Sequence, residues 1–130
     1  MSYHPYSNAY FPAAPMMEIR LGAPGAEVTL GPIEALIDTG ADATLIPMSH
    51  LNQVSAMKVD QANMRSQWGE CRSVSIYSVA LEVDDHRFSA TWVVGDELGN
   101  EVVLGRNVLN RLRLLLDGPA AMTEVLEDVS

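Results

Sequence analysis

The sequence predicts a β-rich globule with a single core, and three observations carry that expectation. Of 130 residues, 48% are apolar, enough for one domain at a length where folding buries roughly two-thirds of the unfolded chain's surface. The Val, Ile and Leu residues fall in short runs, several alternating at period two, as half-buried strands require. Nine Gly and seven Pro punctuate these runs, which marks turns between strands.

Taken in order, residues 1–15 are rich in Pro, Tyr, Ala and Ser, follow neither hydrophobic period, and are expected to be a flexible N-terminal arm ahead of a domain over 16–130. Residues 17–21 predict a strand, Gly22-Ala23-Pro24-Gly25 a turn, and 27–30 the returning strand. Residues 33–37 form a short apolar strand running into Asp38-Thr39-Gly40; 43–46 is apolar again, and Pro47 ends it. Ser49 can cap a short helical turn through Val54, whereas 58–63 fits no period cleanly. Alternation over 73–83 and polarity over 64–70 predict a long hairpin with a projecting tip around Trp68 and Gly69. Asp84-Asp85 turns the chain into a strand over 87–94, 95–100 is a loop, and 101–104 is a further strand. Val108, Leu109 and Leu112 at helical spacing place a helix over 106–112, and 114–116 with 122–126 make a last hairpin across Asp117-Gly118-Pro119.

Charge and cysteine usage narrow the function. A formal charge of −9 argues against nucleic acid, whose backbone is bound by Lys and Arg displacing counterions. The acidity fits solubility as readily as a preference for cationic substrates. Cys71 is the sole cysteine, so no intrachain disulfide can form and a reducing, cytoplasmic setting is expected. The first residues lack a basic segment followed by an apolar one, and no apolar run reaches the roughly 18 residues that span a bilayer, so neither a signal peptide nor a membrane partner is expected. His4, His50 and His86 show no ligand spacing with each other or with Cys71, and are expected at surface or turn positions without a metal. Gly-x-Ser-x-Gly, P-loop and dinucleotide motifs are absent.

Asp38-Thr39-Gly40 is the feature with chemical content. Flanked by the apolar runs 35–37 and 43–46, its loop is anchored in the core while carrying a carboxylate, a costly arrangement unless the group is paired or protonated. An ordinary Asx turn with Gly40 at positive φ is the plainer alternative. About 65 residues downstream, Val102-Val103-Leu104-Gly105-Arg106-Asn107-Val108-Leu109 is an apolar strand that ends at Gly and enters a helix. With these two motifs in this order, the sequence resembles the retropepsin-like aspartic peptidases from about residue 17 to 126.

The resemblance implies an all-β, retropepsin-like closed β-barrel of the acid-protease type, with one short C-terminal helix and a flap hairpin. It implies an aspartic endopeptidase in which Asp38 supplies one of two catalytic carboxylates. Thr39 would hydrogen-bond across to the partner's loop, Gly40 would let substrate backbone approach, and Ala41 would leave the dyad without the neighbouring hydroxyl that pepsin-like relatives often carry. Val103-Leu104-Gly105 would thread beside the loop, and Asp42 and Arg106 would pair beneath it, with two independently solvated charges as the alternative. Gln67, Trp68 and Gly69 take the place of the flap tip over a bound peptide or protein substrate, with Trp68 as a core residue the alternative. Family flaps are commonly richer in Gly at this point. No second Asp-Thr-Gly or Asp-Ser-Gly occurs, so the second carboxylate must come from a homodimer; no metal or organic cofactor is expected. A dimeric peptide-binding or scaffolding module of the same fold, with little turnover, is the competing function. Asn8 to Ala14 also resembles the aromatic-Pro junctions that retroviral proteases cleave, which makes Phe11-Pro12 a candidate self-processing site.

Overall fold

The computed structural model describes residues 2–65 and 68–127. Ten strands and two short helices follow one another as β1 (Ser2–Pro5), β2 (Met16–Gly22), β3 (Leu30–Ile37), β4 (Leu45–Pro47), α1 (Met48–Gln53), β5 (Met57–Arg65), β6 (Cys71–Val83), β7 (His86–Asp96), β8 (Val102–Leu104), α2 (Arg106–Leu109), β9 (Arg113–Asp117) and β10 (Met122–Leu126). The larger sheet runs β2-β3-β8-β4-β7-β6-β5, and β2 also pairs with β6, so six strands close into a barrel with β5 attached outside it. Closure is possible because β6 divides one edge: residues 71–78 pair with β5, and Ala80, Leu81 and Glu82 with β2. The remaining strands form a smaller sheet, β1-β10-β9, whose Val125 packs into the barrel's core.

The alternation seen in the sequence becomes the inside and outside of the barrel. Met17, Ile19 and Leu21 of β2 and Val79, Leu81 and Val83 of β6 are all at 0% exposure, and each large apolar side chain removed from water contributes roughly 1.5–3 kcal/mol. Ala35 and Ile37, Ile46, Val93, Val102, Leu104 and Val108 complete the same core. No helix of the described residues is long and apolar enough to cross a membrane.

Five local expectations are corrected. The strand returning from β2 is β3 itself, paired Met16↔Leu36 to Leu21↔Leu30; residues 27–29 remain in the loop because Thr29 N–H already binds the Leu21 carbonyl. Gly31 permits this close pairing, since its φ is +135° and a Cβ there would lie 2.8 Å from the Ile19 carbonyl oxygen. The first helix begins at Met48 after Pro47, with no side-chain cap from Ser49. The second ends at Leu109, three residues early, since the chain must turn into β9; tight N–H bonds from Arg111 to Val108 and from Leu112 to Leu109 lead out of it.

The expected flexible arm is instead paired, with Ser2 to Pro5 laid antiparallel on β10 and Ser7 bridged to Ala14. Four residues ending in Pro are too short to display a period, which is why the sequence concealed this strand. His4, expected at the surface, is consequently buried at 8% exposure. Its Nε2 lies 3.0 Å from Ser2 Oγ and 3.6 Å from Asp84 Oδ1, and its Nδ1 lies 4.0 Å from Glu18.

Candidate active site

Strand β8 positions the site. It lies between the strand entering the Asp38 loop and the strand leaving it, parallel to β3 through Ala35↔Val102 to Ile37↔Leu104 and antiparallel to β4 through Leu45↔Val103. Asp38 therefore emerges from the core beside Gly105, with its N–H bound to the Leu104 carbonyl at 3.1 Å. Crowding explains the glycine: a Cβ on Gly105 would fall 2.3 Å from the Ala43 oxygen and 2.9 Å from that of Ala41. The spacing of the two motifs thus corresponds to one physical junction.

Within the loop, Asp38 is half-buried, while Thr39 and Gly40 are exposed. Gly40 N–H donates to Asp38 Oδ1 at 2.9 Å, and Ala41 N–H to the Asp38 carbonyl at 3.2 Å. Asp38 Oδ2 makes no hydrogen bond among the described residues. One carboxylate oxygen is thus held by the backbone of the loop itself.

Arg106 supports the loop, but not through Asp42. Its Nη1 donates to the Thr39 carbonyl at 2.9 Å and its backbone N–H to the Ala41 carbonyl at 2.8 Å. Among the described residues no ion pair joins it to Asp42, which is exposed. The expected charge pair is replaced by a charge-assisted bond to a carbonyl, because two solvated charges gain little from pairing.

Sequence reasoning missed Thr44 and Asn107. Thr44, at 0% exposure, donates through Oγ1 to Asn107 Oδ1 at 2.8 Å and accepts Gly105 N–H at 3.0 Å. Asn107 Nδ2 in turn donates to the Trp92 carbonyl at 2.8 Å. The chain of bonds ties β4, β7 and the β8-α2 junction together behind the loop. A lone hydroxyl inside the apolar run 43–46 was the available signal, since a buried polar side chain implies a partner.

The hairpin of β5 and β6 forms the flap-like arm. Gln67, expected at its tip, lies outside the described residues; Trp68 is 83% exposed, so it is not a core residue, and Gly69 turns the chain at φ +86°. A cleft of about 400 Å³ opens between this hairpin and the ends of β4 and β7, with Met64, Arg72, Val74, Leu45, Val94 and Glu97 in its walls. It mixes apolar surface with charges of both signs, and Asp38, Thr39 and Gly40 are not among the residues that line it. Among the described residues no group of three or more His, Cys, Asp or Glu could hold a metal.

A six-stranded barrel that carries Asp-Thr-Gly in a loop bonded to a crossing strand, together with a projecting hairpin, is the architecture of one acid-protease lobe. Comparison agrees: the family described as retroviral aspartyl protease matches residues 12–117, and the chain belongs to that family. Among solved structures, an EIAV protease complexed with the inhibitor HBY-793 is similar, with a TM-score of 0.57 and 17% identity over 75% of this chain and 86% of that one. A retropepsin-like aspartic protease from Rickettsia conorii is similar with a TM-score of 0.62 and 10% identity, over 94% of this chain and 86% of that one. At these identities the likeness is one of fold.

Proposed function

We propose that this chain is one half of a homodimeric aspartic endopeptidase that hydrolyses peptide bonds with a dyad of two Asp38 carboxylates. The observation that carries the reading is the half-buried Asp38 side chain, fixed through Oδ1 by Gly40 N–H and open at Oδ2. With the exposed Thr39 and Gly40 of two copies facing each other, the two carboxylates would share a proton, because like charges at close range do not both ionise. The ionised member takes a proton from water as the water oxygen bonds to the scissile carbonyl carbon; the protonated member donates to the carbonyl oxygen, and collapse with proton transfer to nitrogen breaks the C–N bond and releases the amine. Closure of the β5-β6 hairpin over the peptide would exclude bulk water. We place the enzyme in the cytoplasm, a setting supported by its single, exposed thiol, Cys71.

Asp38→Asn tests the reading, since it preserves shape and removes the proton chemistry. Hydrolysis of a mixed peptide library should fall to background while fold and association persist. Turnover by the variant equal to that of the parent would reject the assignment. The arm supplies one substrate to watch, because Phe11 is fully exposed at the end of a loop closed by the Ser7-Ala14 bridge. A new Pro12 terminus in the parent but not in Asp38→Asn would establish self-cleavage, and an unchanged full-length mass in an active preparation would exclude it.

A further inference from the structure

The root of the β5-β6 hairpin carries apolar surface that the barrel does not bury. Trp92 is the only large apolar side chain of β7 left exposed, at 46%, and Met57, which opens β5, is 60% exposed. The register brings the two together. Met57 is opposite Ser78 and Ser78 opposite Trp92, so the three share one row and one face across β5, β6 and β7. With strands about 4.8 Å apart, Met57 and Trp92 stand roughly 10 Å from each other at the backbone. The small Ser78 between them is the floor of a shallow trough.

The trough runs on from the cleft. Two residues along on the same face, Ile76 is opposite Val94, and Val94 is paired in turn with Leu45 of β4; Val94 and Leu45 are in the cleft wall. A two-residue step along a strand is about 6.6 Å, so the trough begins roughly two peptide residues beyond that wall. It is also held in place. The Trp92 carbonyl accepts Asn107 Nδ2 at 2.8 Å, and Asn107 is bonded to Thr44, which accepts Gly105 N–H. The bonds behind the Asp38 loop therefore fix the strand from which the indole projects, and a rigidly mounted tryptophan is the side chain that most often anchors a partner. On the opposite wall, the register shift between Lys58 and Asp60 follows directly on Met57, an irregularity of the kind that re-aims side chains beside binding sites.

We propose that Trp92 and Met57 form a docking site for an apolar side chain of the substrate polypeptide, several residues away from the bond that is cut. The occupant is taken from the peptidase function proposed above, and the new element is a demand for substrate length: a chain that ends at the cleft forgoes the contact. Continuity selects this occupant, because a polypeptide leaving the cleft over Val94 meets Trp92 next on the same strand and face. The row itself carries no charge, since it consists of Met57, Ser78 and Trp92. It therefore discriminates by apolar surface, with Leu, Ile or Phe favoured over Asp, Glu or Lys.

Trp92 can report on its own occupant, since Trp68 is the only other tryptophan. In the full chain carrying Asp38→Asn and Trp68→Phe, acrylamide quenching of the remaining indole should fall about twofold or more on adding an excess of a mixed peptide library about twelve residues long, and should not move with one of about six, too short to reach beyond the cleft. Kinetics give a second readout in the parent. For the sequence that it cuts best, kcat/KM is compared between a form of about twelve residues with Leu at both ends and one trimmed to about six. The ratio should fall about tenfold in Trp92→Ser, and by less in Met57→Ser, whose side chain is the more flexible wall. Taking the ratio cancels any effect on the Asp38 loop itself. Quenching that long peptides leave unchanged, or a parental ratio in both variants, would overturn the proposal. Quenching that falls with protein concentration alone would overturn it too, by giving the face to a second copy. The peptidase reading fails separately: long peptides that shield Trp92 in a protein that hydrolyses none of them would sink that reading alone, and an active enzyme with Trp92 unshielded would sink this one alone.

Discussion

In the loop from Asp38 to Asp42, backbone and side-chain bonds arrive from β8, from α2 and from the loop itself. In the hairpin that ends at Trp68 and Gly69, eight of the nine residues of β5 are exposed, and the strand is bonded to β6 alone. The first region places a charge, and a carboxylate that must meet a reacting atom has to be held to a fraction of an ångström by its surroundings. In the proposed peptidase the second would have to let a polypeptide pass before covering it, and it is drawn from the weakly packed part of the molecule. One fold thus keeps its rigid and its yielding functions on different strands, joined through β6, whose C-terminal half is barrel and whose N-terminal half is flap.

The sharpest way to break the contrast is Gly105→Ala. The added methyl would overlap the carbonyls of Ala43 and Ala41 at the point where β8 supports Asp38. Overpacking typically costs about 1–3 kcal/mol and more against backbone, so the melting temperature and peptide hydrolysis should both fall steeply. A variant with parental stability and activity would show that the junction is looser than its geometry. Next comes Thr44→Val, nearly isosteric, which strips Gly105 N–H and the Asn107 carboxamide of their shared partner. Leaving buried polar groups unsatisfied costs about 1–3 kcal/mol, read as a shifted urea midpoint at unchanged slope. Recovery of stability in Thr44→Ser but not in Thr44→Val would trace the loss to the hydroxyl.

The flap should answer in the opposite way. Trp68→Ala removes a side chain that is 83% exposed, and such surface changes usually alter stability by no more than about 0.5 kcal/mol. Hydrolysis of extended peptides should nevertheless drop, with the loss in KM if the indole only binds substrate and in kcat if it helps the hairpin close. A fall in melting temperature as large as that of Thr44→Val would place Trp68 in the core after all and erase the distinction between the two regions.

How much of this was legible beforehand follows the same division. The barrel strands could be read because Met17, Ile19 and Leu21, and again Val79, Leu81 and Val83, bury one face and repeat at period two. The Asp38 loop and its Gly105 support could be read because close approach restricts residue type. What escaped was set by three-dimensional partners. Arg106 turns to a carbonyl instead of Asp42, Thr44 finds Asn107 63 residues away, and Ser2 to Pro5 become a strand only because β10 lies beside them. A side chain's choice among nearby acceptors depends on angles that no pattern along the chain encodes.

The arm between these regimes provides the last and smallest test. It is attached to the Asp38 end of the barrel by Ile37 N–H on the Pro15 carbonyl and by Tyr10, whose hydroxyl donates to Glu101 just ahead of β8. That hydrogen bond, with burial and the charges of Glu101 and Glu34, pushes the Tyr10 pKa from the ordinary 10.0 up to about 12. The raised value favours the neutral phenol in the folded chain, so its contribution is complete below the unfolded value of 10.0 and disappears as pH rises through about 12. Comparing the parent with Tyr10→Phe by denaturant unfolding should give a constant small difference below pH 10 that closes towards pH 12. An ultraviolet titration should find one of the four tyrosines ionising near 12 in the parent and missing from the variant. If none ionises that late, or if the stability difference persists unchanged across the interval, Tyr10 does not fasten the arm to Glu101, and residues 6–15 belong with the yielding part of the molecule.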